Sequence, residues 1–215
     1  MNLFDQAVLL ATGLVALYAI WLLIGQQKDE ATKHIANYYY MVSFAVLFVS
    51  GVLLIFLGWE ILGLLGHGSG TSKFVAIVAT LIPFSFASGL VARFYPEKEK
   101  MYLGIMVLGI VLIGISRVMD MGTFAKIIYP VFHSIAGLTI FFVPIMMVKN
   151  DVMGKGFYGV TVGGTLIGLG GIALAFLTAG KQLLFFSPEF VLMILAPLLF
   201  LTAFSYMWGL KNGEK

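Results

Sequence analysis

The chain alternates between long apolar runs and short stretches rich in charge, glycine and proline. Hydrocarbon about 30 Å thick takes roughly 20 apolar residues to cross as a helix. Seven runs reach that length, near Gln6–Gly25, Tyr38–Leu62, Phe74–Phe94, Met101–Met119, Ile127–Val148, Phe157–Ala179 and Pro188–Leu210. They show no period-two alternation and are about twice as long as a barrel strand of roughly ten residues. The pattern therefore predicts an all-α, polytopic membrane protein, a bundle of seven transmembrane helices forming one domain over residues 1–215.

Breakers fall between the runs. "GHGSGTSK" separates the second from the third, and Thr71 or Ser72 can cap the third; "FYPEKEK" and "KNDVMGKG" separate later ones. Ser187, Pro188 and Glu189 read as an N-cap, a proline at the first helical position and an acid in the first turn. Pro83, Pro144 and Pro197 lie inside runs, where each removes a backbone donor and kinks its helix. Nothing basic precedes the first run, so it reads as a retained helix rather than a cleaved signal.

Charge orients the bundle. The odd-numbered loops and the C-terminus hold Lys28, Lys33, Arg93, Lys98, Lys100, Lys149, Lys155, Lys211 and Lys215. The N-terminus and even-numbered loops hold only Lys73, Arg117, Lys126 and Lys181. The positive-inside rule then predicts an N-terminus outside and a C-terminus in the cytoplasm, in a cell membrane. Tyrosines and tryptophans such as Trp21, Tyr38, Trp59, Tyr102 and Trp208 cluster near the run ends, where amphipathic rings favour the headgroup layer.

Composition agrees. Of 215 residues 60% are hydrophobic and 11% charged, against roughly 25% charged in a soluble domain. The net charge of +3 is spread through loops and leaves no nucleic-acid footprint. With no cysteine, disulfides, thiolate metal sites and cysteine nucleophiles are excluded.

Two features stand out within the spans. The sixth run, "GVTVGGTLIGLGGIALAF", carries Gly159/Gly163 and Gly164/Gly168 as small-xxx-small pairs, suited to close helix packing or to another subunit. The second is "GISRVMDMGTFAKIIYPVFHSIAGL", Gly114–Leu138, which gathers Arg117, Asp120, Lys126, Tyr129 and His133. Arg117 and Asp120 are expected to end the fourth span, Met121–Ala125 to form a tight turn, and Lys126 to begin the fifth. His133 then lies roughly 10 Å deeper, on one face with Tyr129, four residues before it. Glu60, near the end of the second span, and His67 reach the same outer level.

Ionisable groups within a bilayer are costly and mark a functional site by default. A cluster of His133, His67, Glu60, Asp120, Arg117 and Tyr129 admits three ligand chemistries. His67 and His133 form the same-level pair a b-type haem would need. Glu60, His67, Asp120 and His133 offer metal donors without a metal-binding motif. Arg117, Tyr129 and His133 offer hydrogen bonds to a quinone or lipid head. The seventh run has no mid-helix lysine for a retinal Schiff base, and no hydrolase or phosphate-loop motif occurs. The expectation is a membrane subunit of a larger complex, redox-linked if its ligand is a haem or quinone, without catalytic activity of its own, in contact with the bilayer and with other subunits or copies of itself. The alternative is a small multi-pass transporter or channel.

Overall fold

The structure is a computed structural model; it describes residues 1–59, 71–178, 184 and 186–214, with backbone alone over 71–76 and 174–178. Among these the regular structure is helical. The helices are α1 (Leu3–Lys28), α2 (Ile35–Leu57), α3 (Thr71–Phe94), α4 (Glu99–Val118), α5 (Gly122–Lys149), α6 (Tyr158–Thr178) and α7 (Pro188–Asn212). Single 3₁₀ turns, Pro96–Lys98 and Lys155–Phe157, lead into α4 and α6. All seven helices are long and apolar enough to cross a membrane, the signature of an integral multi-pass protein.

Local chemistry sets the helix ends. Asn2 caps α1 by accepting from the Asp5 amide at 2.8 Å, while the Asp5 carboxylate accepts back from the Asn2 amide at 3.3 Å. This reciprocal capping box satisfies two of the orphan donors of the first turn. Ser187 caps α7 by accepting from the Phe190 amide, with Pro188 at the first helical position, as its sequence predicts. At the end of α2 the reading was too long. The helix stops at Leu57 rather than Leu62, because Gly58 turns to φ +70° and breaks the helical path. Glu60 therefore lies beyond α2, and Glu60 and His67 are outside the described residues.

Each helix packs on its chain neighbour, and α7 returns to α1. Helix α3 is the hub: 56% of its apolar stretch is buried, against 22% in α4, and it packs on α2, α4 and α5. Phe86 of α3 stacks on Tyr206 of α7 with ring centres 4.2 Å apart and lies 4.9 Å from the Tyr40 ring of α2. Two groups of bonds identify the two ends of the bundle. At one, Trp59 donates its indole N–H to the buried Asp5 carboxylate at 3.3 Å. At the other, Arg93 pairs with Glu214 at 2.9 Å and Tyr39 donates to Glu99 at 2.8 Å. The second end carries Lys28, Lys33, Lys98, Lys149 and Lys211, and is called the lysine-rich end below.

Pro83, Pro130, Pro144 and Pro197 all sit inside helices. Cross-helix hydroxyls settle beside two of them. Ser43 donates to the Ile82 carbonyl at 2.8 Å, and Thr161 to the Phe141 carbonyl at 3.1 Å. These bonds tie α2 to α3 and α5 to α6 close to the prolines. Outward, large apolar side chains stay open: Leu3 and Phe56 are each 81% exposed and Met193 67%. In water so much apolar surface would aggregate; in hydrocarbon it is wetted.

Candidate functional site

The candidate site lies on the α4–α5 hairpin, at the Asp5 end. The turn differs from the one read in the sequence. Helix α5 begins at Gly122, so Met121–Ala125 is not the turn and Lys126 already lies in helix. The chain reverses over Met119–Met121. The Met121 amide donates to the Ser116 carbonyl at 2.9 Å, the Met119 amide to Ile115, and Asp120 takes φ +49°. This is a Schellman stop with aspartate in the left-handed position that glycine normally fills. Asp120 is thus exposed in a turn and its placement is explained by the turn.

Arg117 is in the last turn of α4, where a cation also faces the negative end of the helix dipole. Its guanidinium lies over the Tyr129 ring, 5.8 Å from the centroid, within the range of a cation–π contact. One helical turn on, the His133 ring stacks on that phenol with centres 5.3 Å apart and 18° between planes. The imidazole reaches α6: a methyl group added at Gly171 would sit 3.6 Å from His133 Nε2. Three helices therefore build the site, α4 through Arg117, α5 through Tyr129 and His133, and α6 through the bare backbone at Gly171.

Two atoms of this stack are buried without a hydrogen-bond partner among the described residues, Arg117 Nε and His133 Nδ1. Arg117 Nε is a permanent donor, and His133 Nδ1 can donate or accept. Buried polar atoms in native structures are nearly always satisfied, so each orphan calls for a partner. Together they can bind acceptor oxygens of a ligand. Metal chemistry fares differently: among the described residues no three histidine, aspartate or glutamate side chains gather to hold a metal ion. The haem pairing of His67 with His133 and the metal set with Glu60 rest on residues outside the described ones.

The glycines of α6 divide. A methyl group on Gly159 would meet the Ser205 carbonyl at 2.8 Å, one on Gly163 the Tyr206 ring at 2.7 Å, and one on Gly164 Ile140 at 2.7 Å, whereas Gly168 would meet nothing within 4 Å. Sequence reading missed the other half of this seam. Gly209 of α7 would clash with the Val160 amide of α6 at 2.7 Å, and Gly213, which caps α7, with the Phe157 ring at 2.7 Å. It also missed Gly171, whose relation to His133 depends on how α6 is rotated. No protein-family model matches this chain, and no curated protein or solved structure matches it.

Proposed function

We propose that this protein is an integral membrane subunit of a larger complex. In this reading it holds the head of an amphiphile with hydrogen-bond acceptor oxygens, a quinone or a phospholipid, against Arg117, Tyr129 and His133. The observation that supports it is the pair of buried nitrogens without a partner among the described residues, Arg117 Nε and His133 Nδ1, both beside the Tyr129 ring. Separate acceptor oxygens of one head, carbonyls of a quinone or phosphate and ester oxygens of a lipid, would take the two nitrogens, with the Tyr129 ring as a flat wall of the site. Charge-assisted bonds from arginine are the stronger kind. A quinone would make the role redox-linked. By the positive-inside rule the site faces outside and the lysine-rich end the cytoplasm, in a cell membrane. Short described connections, residues 29–34 and 95–98 among them, leave little of the chain outside the bilayer to act alone.

The test is organic extraction of the purified protein and mass spectrometry of what comes off. A quinone or a phospholipid retained by the wild type and lost from Arg117→Gln supports the reading and tells the two sources apart. Equal extracts from both overturn it. Because the chain lacks cysteine, single cysteines introduced at residue 2 and residue 213 report the orientation through impermeant labelling.

A transporter reading draws on a separate observation. Tyr40, Tyr206 and Thr202 bury hydroxyls in the bundle interior with no partner among the described residues. Five other buried hydroxyl side chains, Thr12, Ser43, Thr80, Ser88 and Ser116, each donate to a carbonyl. Solute flux in liposomes that falls in Tyr206→Phe would favour transport over the subunit reading.

A further inference from the structure

A second site lies at the lysine-rich end, in the seam between α1 and α7. Lys211, in the last turn of α7, does not extend freely past the helix end. Its ammonium donates to the Tyr18 hydroxyl at 2.9 Å and lies 5.4 Å from the centre of the Tyr18 ring. Tyr18 stands ten residues before Lys28, the end of α1, which is about 15 Å of helix. Lysines near helix ends ordinarily snorkel outward to water. This one is drawn back along the seam. Tyr18 in turn stacks on Trp21, with ring centres 5.8 Å apart, both rings exposed on the outer face of α1.

Beside the ammonium is a cleft of about 80 Å³. Its floor is apolar, made by Ala19, Leu23 and Met207, all buried, and the polar groups that line it belong to Gln26 and Lys211. A cofactor-sized ligand needs roughly 300–1,000 Å³, so the cleft is too small to enclose one. It suits a molecule that rests only part of an acyl chain in it and lies otherwise along the outside of the bundle. An ammonium has three donors, and Tyr18 takes one. Among the described residues no carboxylate pairs with Lys211.

We infer that the α1–α7 seam is a binding site for an anionic phospholipid. The phosphate is bound by Lys211 with the Gln26 amide, and the first methylenes of one chain lie over Ala19, Leu23 and Met207. The stacked rings of Tyr18 and Trp21 flank the bound lipid on the outer face of α1. Basic pockets between transmembrane helices recognise anionic heads by this same combination of charge and apolar seam. The site is at the opposite end from Arg117 and His133 and does not rest on the function proposed for them.

The experiment is native mass spectrometry of the full chain in detergent, titrated with phosphatidylglycerol or phosphatidylcholine of the same chains. Wild type should retain phosphatidylglycerol about fivefold better, the effect of roughly one interfacial lysine. Lys211→Gln should abolish that preference, and Lys211→Arg should keep it. Tyr18→Phe removes the internal hydrogen bond without removing the charge, and should also keep it. This separates a lost charge from a loosened helix end. Equal retention of the two lipids by wild type overturns the inference, as does a preference that survives Lys211→Gln. Inorganic phosphate is the last arm. If phosphate alone competes away phosphatidylglycerol at equal concentration, the apolar cleft contributes nothing and the lipid assignment fails.

Discussion

His133 and Tyr129 lie face to face on α5, 18° from parallel, and His133 Nε2 is turned toward the backbone of Gly171 on α6. The stack fixes the imidazole plane, and its buried Nδ1 has no hydrogen-bond partner among the described residues. His133→Phe keeps the ring contacts and deletes the orphan nitrogen. A buried unsatisfied polar group costs about 1–3 kcal/mol. In delipidated protein this variant should therefore melt no lower than wild type, and up to that amount more stable. With the native extract restored, wild type should gain stability and His133→Phe should not. Melting curves in detergent, with and without added extract, check both outcomes. A His133→Phe variant strongly destabilised in delipidated protein would assign the imidazole a structural bond instead.

Asp120 separates the site from the turn beside it. Its φ of +49° is left-handed, which an L-residue adopts at about 1 kcal/mol above glycine. Asp120→Gly should leave ligand retention unchanged. Asp151, at φ +61°, occupies the same position after α5, where the Val152 amide donates to the Met147 carbonyl. Asp151→Gly should behave alike. Loss of ligand in Asp120→Gly alone would return Asp120 to the site.

How much of this was legible follows from distance along the chain. The seven spans were, because hydrophobic length is a property of one segment. The Tyr129–His133 pair was too, since residues four apart on one helix must face alike. The Arg117 contact crosses a hairpin whose turn was misplaced: the reversal uses two left-handed residues, Asp120 and Gly122, and Gly122 already opens α5. Gly171 belongs to the site only through the rotation of α6, which no local pattern encodes. On α7 the four-residue spacing of Gly209 and Gly213 was visible, but Lys211 and Asn212 between them look like the polar end of a helix rather than a packing face.

The α6 glycines give a graded series. Gly159→Ala places a methyl 2.8 Å from the Ser205 carbonyl, and Gly163→Ala places one 2.7 Å from the Tyr206 ring and 3.1 Å from the Thr202 carbonyl. Backbone cannot yield as a flexible side chain does. Each should cost about 1–3 kcal/mol, as overpacking of a closed seam does. Gly168→Ala meets nothing within 4 Å and should be neutral or gain up to about 1 kcal/mol from helix propensity. Detergent melting temperatures of the three variants read the order directly. A Gly168→Ala variant as damaged as Gly159→Ala would mean that this face of α6 is covered by another subunit in the purified particle.

The lysine-rich end should respond to acid through His34. This residue caps α2: its Nδ1 accepts from the Ala36 amide at 3.0 Å, which requires that nitrogen to be unprotonated. Burial holds its pKa below the usual histidine value of 6.5, the nearby Arg93 guanidinium lowers it further, and Glu99 opposes both. The folded pKa lies below the unfolded one, so the unfolded chain takes up the proton first as pH falls. Stability should be level above pH 6.5, decline as pH falls below it, and level off once folded His34 itself protonates and gives up its cap. His34→Ser keeps a capping oxygen that does not titrate. It should match wild type at pH 8 and lose less stability by pH 5. Tyr39–Glu99 and Arg93–Glu214 also bring carboxylates to this end, so the difference between wild type and His34→Ser, not the slope of either alone, isolates the histidine. If the two curves run parallel from pH 8 to pH 5, His34 is not the titrating group.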